Sequence, residues 1–339
     1  MRQTHVLARF VAVLSLLIAI SAFAETADSF HEKRNAQSWL HKIQSAAQRL
    51  SYSGTFVYQQ GNQMRTSRIT HLLDGRNEIE KLEILDGRPR EYIRKNEEVI
   101  CYVPEAKMLQ VEKRVAHDMF PAMLAANPAD LTEFYDVNKE GGGRVAGRDS
   151  QTIVLEPKDN LRYGYRLWAD RGTGLLLRAQ TINEKREVVE QISFTQISIG
   201  NIDSGRAKAS FSNTNGWRVE NATMSAANLA GWTVKFLPGG FKKVREIKRM
   251  VSEASSTSTA APAAQTAQRE VAQMVFSDGL AAISVFIEPG TQSRTEGSMQ
   301  QGAMNIIGRR YGDFWLTIVG EVPAAVLRQV ANSIEFKSK

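Results

Sequence analysis

Between Phe56 and Arg114 the chain is punctuated by turn chemistry at intervals of about one strand, and this rhythm narrows the fold more than any other feature. The turn signals are Gln60-Gly61-Asn62, Asp74-Gly75, Asp86-Gly87, Lys95-Asn96-Glu97 and Pro104-Glu105-Ala106. Asp-Gly accepts the positive φ angles that tight hairpins need. The segments between, such as Leu82-Glu83-Ile84 and Val99-Ile100-Cys101-Tyr102-Val103, alternate or are mixed apolar. The pattern predicts an antiparallel meander.

Several of these strands are apolar on both faces: Phe56 and Tyr58 oppose Val57, and Val99 and Val103 oppose Ile100 and Tyr102. An open antiparallel sheet normally turns one face to water, so here that face must be covered. One helix is predicted over 35–50, with Asn35 as N-cap and Trp39, Leu40, Ile43, Ala46, Ala47 and Leu50 on one stripe. Further strands are predicted at 152–156, 163–169, 175–183 and 188–199, giving roughly ten, too many for a flat sheet or for one helix to cover. Two arrangements satisfy this. In one the sheet curves around an apolar cavity, with Phe56, Tyr58, Tyr92 and Tyr102 as candidate lining aromatics. In the other the segment 119–135 and a second domain cover the sheet, and the same aromatics are ordinary core.

Gly, Ser and Asn clusters over 201–216 read as a linker. They divide a larger domain, 25–200, from a smaller one, 217–339, whose strands and one helix predict a compact antiparallel sheet. The Ser/Thr/Ala/Pro-rich stretch 252–268 reads as a disordered loop. The fold class is therefore α+β, a large curved antiparallel sheet with a helix followed by a smaller sheet-and-helix domain.

Residues 1–24 read as an export leader: Arg2 and Arg9 precede a short apolar core, and Ala22-Phe23-Ala24 supplies the cleavage pattern. Nothing later approaches the roughly 20 apolar residues of a spanning helix. Loss of the leader takes the formal charge from +7 to +5. That mild basicity suits an acidic partner or an anionic lipid surface, and in an exported protein without a basic motif it does not suggest nucleic acid. Arg245, Lys248, Arg309 and Arg310 are the candidate contacts for an acidic partner or phosphate groups. Cys101 is the single cysteine, so no internal disulfide is available, and its apolar neighbours predict a buried thiol.

Signatures of catalysis are missing. The chain has no G-x-S-x-G, S-x-x-K, H-E-x-x-H or Walker lysine. Gly141-Gly142-Gly143-Arg144 reads as a flexible turn, because no helix follows it to hold an anion. His31, His41, His71 and His117 lack ligand spacing, so no metal or other cofactor is expected. Glu78, Glu80 and Glu83 are placed on a solvated strand face. These features favour a binding protein over an enzyme.

The wording of the hairpins carries a resemblance. Tyr52-Ser53-Gly54-Thr55-Phe56-Val57-Tyr58, Glu80-Lys81-Leu82-Glu83, Leu85-Asp86-Gly87-Arg88-Pro89-Arg90-Glu91 and Cys101-Tyr102-Val103-Pro104 closely resemble the MucB/RseB family. Phe276-Ser277-Asp278-Gly279-Leu280, Ser284-Val285-Phe286 and Gly308-Arg309-Arg310 resemble that family's C-terminal domain, and the likeness spans about 36–336. It implies a half-open barrel like that of the LolA/LolB lipoprotein carriers. It also implies a periplasmic regulator that binds the periplasmic part of a membrane anti-sigma factor of the RseA/MucA type. Such binding shields the partner from its protease and keeps the envelope-stress sigma factor sequestered, and lipid or lipopolysaccharide relieves the inhibition. A plain lipid or lipoprotein carrier is the alternative. The sequence leaves self-association open.

Overall fold

The computed structural model describes residues 34–75, 77–113, 120–124, 127–221, 224–226, 229, 231–252, 268–290 and 294–337. The expected leader lies outside these residues, as does the 252–268 loop apart from its ends, Ser252 and Gln268, which pair with each other. Helix α1 covers 34–49 and buries Ala36, Leu40, Ile43, Ala46 and Ala47. Asn35 is not its N-cap. Arg34 before it is already helical, so Asn35 lies within the helix, where its carbonyl accepts a hydrogen bond from the Ser38 hydroxyl at 2.7 Å.

The meander follows as β1 (Tyr52–Gln60), β2 (Gln63–Asp74), β3 (Asn77–Ile84), β4 (Arg90–Lys95), β5 (Glu98–Val103) and β6 (Met108–Lys113). Its turns use the positive φ expected of them, at Gly75 (60°) and at Asn96 (54°). Helix α2 (Pro128–Phe134) opens on proline, with the Asn127 side chain accepting the Ala129 N–H at 3.1 Å. Then come β7 (Tyr135–Val145), β8 (Arg148–Pro157), β9 (Gly164–Asp170), β10 (Leu176–Ile182) and β11 (Val188–Ile199). Strand β11 pairs with β1, joining both runs into one sheet. Gly141, Gly142 and Gly143 are not a turn but part of β7, beside a bulge between Glu140 and Gly142. The strands approach so closely there that a Cβ on Gly142 would lie 2.9 Å from the Ser150 carbonyl oxygen.

Residues 201–217 cross the sheet and deliver β12 (Arg218–Asn221), which pairs in parallel with β6 and completes the order β12-β6-β5-β4-β3-β2-β1-β11-β10-β9-β8-β7. The domain's core joins Leu40 and Ile43 of α1, Phe120 and Leu124 to Ile153, Leu155, Leu167 and Leu176 of the sheet. Each such buried side chain contributes about 2 kcal/mol.

The smaller domain contains β13 (Met224–Ala226), β14 (Trp232–Val234), β15 (Lys242–Ser252), β16 (Gln268–Ser277), β17 (Ala282–Pro289), β18 (Gly297–Gln301), β19 (Met304–Tyr311), β20 (Phe314–Gly320), α3 (Ala324–Asn332) and β21 (Ile334–Phe336). Seven strands form a sheet in the order β13-β15-β16-β17-β20-β19-β18, and β14 with β21 forms a separate ribbon. Val326, Leu327 and Val330 of α3 pack with Ile283, Val285, Leu316 and Ile318 in this domain's core.

The domains meet through polar groups. Arg162 donates to Asp278 at 2.9 Å, to the Gly239 carbonyl at 2.7 Å and to Asp159 at 3.0 Å, and it lies over the Phe134 and Tyr135 rings. Asn305 donates to the Tyr163 hydroxyl at 3.2 Å, and Gln60 donates to the Gln301 carbonyl at 2.7 Å.

Candidate functional site

Hairpin register decides what the meander presents on each face. Tyr52 stands opposite His71, His71 opposite Glu80, Glu80 opposite Arg94, Arg94 opposite Val99, and Val99 opposite Glu112. Residues paired across strands share a face, so these six form one transverse row over β1–β6. The row runs along the wall of a cavity of about 760 Å³, whose apolar lining includes Leu82, Ile84, Tyr92 and Ala122. The two-residue period of β3 supplies both characters from one strand. Glu78 and Glu80 form the polar part of the wall, and Leu82 and Ile84 the apolar part.

The polar part is tightly bonded. His71 is buried, with Nδ1 2.8 Å from the Leu50 carbonyl oxygen and Nε2 2.9 Å from Glu78 Oε1. Arg94 donates to the same Glu78 oxygen at 2.9 Å, to Glu80 at 3.3 Å and to the Asn96 carbonyl at 3.2 Å. The Tyr52 ring stacks on the His71 ring with centroids 4.9 Å apart. Burial, reinforced by Glu80 and Glu78, holds the Tyr52 hydroxyl well above the ordinary phenol range, so it stays neutral. Burial likewise pushes the Cys101 thiol up, next to the Tyr92 hydroxyl that bonds it. Glu78 and Glu80 are thus not on a solvated face. The two-residue period of β3 puts both on the cavity side, where His71 bonds Glu78 and Arg94 bonds both, and Glu83 alone of the three lies opposite, 3.3 Å from Lys81.

Of the four aromatics singled out from the sequence, Tyr92 lines the cavity. Phe56 is packed into the core between Phe120 and Phe194. Tyr58 borders a small cleft with Gln301 and Met304 of the other domain. Tyr102 points to the opposite face, where it stacks on Phe211 of the crossover at 6.1 Å. The four basic residues are also dispersed. Arg245 and Lys248 lie on β15 and Arg309 and Arg310 on β19, with three strands between them, roughly 19 Å at the usual strand spacing. Lys248 pairs with Glu270 at 2.7 Å, and Arg309 donates to the Ala331 carbonyl at the end of α3. Tyr52, His71 and Arg94 are site residues that composition and motif did not reveal. Among the described residues no cluster of His, Cys, Asp and Glu has a metal-binding arrangement.

An apolar cavity with an ionic wall, set in a curved sheet and joined to a smaller α+β unit, defines a two-domain binding protein. The chain belongs to the MucB/RseB family: that family's N-terminal domain matches residues 35–222 and its C-terminal domain residues 226–335. The sigma factor AlgU regulatory protein MucB of Pseudomonas aeruginosa is 30% identical, over 96% of this chain and 97% of the relative. The sigma-E factor regulatory protein RseB of Haemophilus influenzae is 26% identical, over 96% and 97%. A crystal structure of MucB in complex with MucA(peri) matches with a TM-score of 0.67 and 28% identity, over 90% of this chain and 100% of that one. Among the described residues no helix is long and apolar enough to cross a membrane.

Proposed function

We propose that this chain acts in the periplasm, after removal of its leader at Ala24, by binding the periplasmic segment of a membrane anti-sigma factor of the RseA/MucA type. Bound, it shields that segment from the protease that starts its degradation, and the envelope-stress sigma factor stays sequestered. The observation that carries this reading is the likeness to MucB over nine-tenths of the chain, since MucB has been solved bound to MucA(peri). An extended segment that orders on binding can be hidden by a modest interface, and sheet edges or the interdomain groove are suited to receive it. Uptake of an acyl amphiphile, of which lipopolysaccharide is one, into the 760 Å³ cavity would relieve the inhibition. That requires the amphiphile to bind the partner-free form more tightly.

Calorimetric titration with the periplasmic domain of the same organism's anti-sigma factor tests the reading. Saturable binding at micromolar or tighter, with protection of that domain from proteolysis, supports the regulator. No binding at high concentration, while an acylated ligand is extracted and handed to an acceptor, supports a lipid carrier instead.

A further inference from the structure

A second hollow lies on the other face of the meander. Tyr52, His71 and Leu82 line the 760 Å³ cavity, and their strand neighbours Ser53, Thr70 and Lys81 point the opposite way. There, with Thr55, Arg68 and Glu83, they line a cleft of about 590 Å³, bounded on its other side by Arg206, Lys208 and Ser210 of the crossover. Its charges do not balance within the fold. Lys81 lies 3.3 Å from both Glu83 and Glu91, and Arg68 lies 3.9 Å from Glu83. Arg206 and Lys208 are left over: neither side chain has an ion pair or hydrogen bond among the described residues. Asp203, the crossover's one acidic residue, accepts the Gly205 amide at 3.0 Å and does not line the cleft. Four cations (Arg68, Lys81, Arg206, Lys208) against two carboxylates (Glu83, Glu91) leave an excess of two positive charges.

The lining also holds hydroxyl donors. Those of Ser53 and Thr70 are buried and 2.8 Å apart. Each hydroxyl carries one proton and their mutual bond uses one, so one proton of the pair is left over. Guanidinium, ammonium and hydroxyl groups around one hollow are the donors that a tetrahedral oxyanion accepts from. An acyl chain finds little to lie against, since Ile197 and Ala209 are the apolar side chains apart from methyl and methylene groups of polar residues.

We infer that this cleft binds a soluble phosphate-type oxyanion carrying two or more negative charges, held by Arg206 and Lys208 of the crossover together with Arg68 and the Ser53–Thr70 pair of the sheet. A dianion cancels the excess charge. The volume falls within the roughly 300–1,000 Å³ of small-molecule sites, so there is room for a second phosphoryl group, and pyrophosphate fits better than phosphate. The site lies on the opposite face of the sheet from the acyl cavity, so the two ligands do not compete. Bound, the anion would tie the crossover to the sheet at the stretch of chain that leads into the smaller domain.

Calorimetric titration of the full mature chain with inorganic pyrophosphate, at fixed ionic strength, tests the inference. The expected result is a saturable one-to-one isotherm, with inorganic phosphate binding more weakly. Arg206→Gln combined with Lys208→Gln should weaken pyrophosphate about tenfold or more. Both residues are exposed, and circular dichroism checks that the fold persists. Lys139→Gln with Lys185→Gln removes the same charge from exposed positions outside the cleft, and affinity should then stay within about twofold. An equal loss in both pairs would mean diffuse attraction to a basic protein and overturns the site, as does the absence of saturable binding. N-phenyl-1-naphthylamine bound in the acyl cavity should stay there as pyrophosphate is added; its displacement would put the anion in that cavity and overturn the inference. Two further probes separate the sources of the anion. Dihexanoyl phosphatidic acid binding where pyrophosphate does not would assign the phosphate to a lipid headgroup, and acetyl-Asp-Gly-Asp binding more tightly than pyrophosphate would make the cleft a peptide site. Either result overturns the soluble oxyanion.

Discussion

Arg162 of the larger domain meets Asp278 of the smaller at 2.9 Å, and both side chains are buried. The guanidinium is otherwise satisfied by Asp159 and the Gly239 carbonyl, so Asp278 supplies the one carboxylate that crosses the interface to it. Removing a single member of a buried pair strands the other, at a cost of about 3 kcal/mol. Asp278→Ala is therefore expected to lower the urea midpoint and to split the unfolding transition as the smaller domain uncouples. A single, unshifted transition would show that the pair does not hold the domains together. Asp278→Ala combined with Arg162→Met should recover part of the loss, because no buried charge is then left alone.

Glu190 makes the interface sensitive to pH in a definite direction. Burial pushes its carboxyl above the usual range, against hydrogen bonds from Tyr58, the Ala303 amide and Gln60 that favour the charged form. A carboxyl whose folded pKa exceeds its unfolded pKa contributes most below the unfolded value, and that contribution is lost as pH rises through the folded value. Glu190→Gln removes the titration while keeping a polar group of the same size. Its stability relative to the parent should rise from pH 4 to pH 8 in thermal melts, and parallel curves across that range would sink the idea.

Asp170 works with the opposite sign. Burial alone would raise its carboxyl, but the Arg148 guanidinium at 2.7 Å and the Thr173 amide and hydroxyl outweigh burial and hold it below the usual range. Its stabilisation is therefore present above the unfolded pKa and is lost as pH falls through the folded one. Asp170→Asn should cost about 2 kcal/mol at neutral pH, because the 170–174 turn loses a charged acceptor. The deficit should shrink in urea titrations towards pH 3. A constant deficit would mean that shape, not charge, sets the role of Asp170.

The meander was legible because its turns need special residues: Gly61, Gly75 and Gly87 all take positive φ. The cavity row was legible in principle. Tyr52 and His71 are equally far from the first turn, and His71 and Glu80 from the second, so the turns fix the register that aligns them. Residue type alone misleads there, because an acidic strand such as Asn77–Ile84 reads as solvated until Arg94 is placed opposite it. Tyr102 illustrates a different limit. Its face of the sheet is covered by Phe211, more than a hundred residues away, and no local period announces a chain that crosses over. The return of Arg218–Asn221 to the larger sheet beside β6 is hidden for the same reason. The separation of Arg245 from Arg309 and Arg310 follows from strand order, which alternation does not encode.

The crossover that covers Tyr102 is held at its middle by a buried lysine. Lys81 lies 3.3 Å from both Glu83 and Glu91 and donates to the Ser210 hydroxyl at 2.9 Å, while Glu91 accepts the Ser210 amide at 2.9 Å. Phe211 then stacks on Tyr102, and Trp217 lies against Phe211 at 5.8 Å. The cluster pins to the larger sheet the stretch of chain that leads into the smaller domain. Lys81→Met leaves Glu91 buried without its cation and should cost about 3 kcal/mol in urea unfolding. Its local signature is more specific than the global loss: amide exchange at 204–211 should quicken by about tenfold or more, beyond what the fall in global stability explains. Lys81→Met with Glu91→Leu removes both charges and should restore much of the stability but not the slow exchange at Ser210, whose amide acceptor is then gone. Exchange at 204–211 that tracks the rest of the sheet in both variants would show that the aromatic stack, and not the lysine, fixes the crossover.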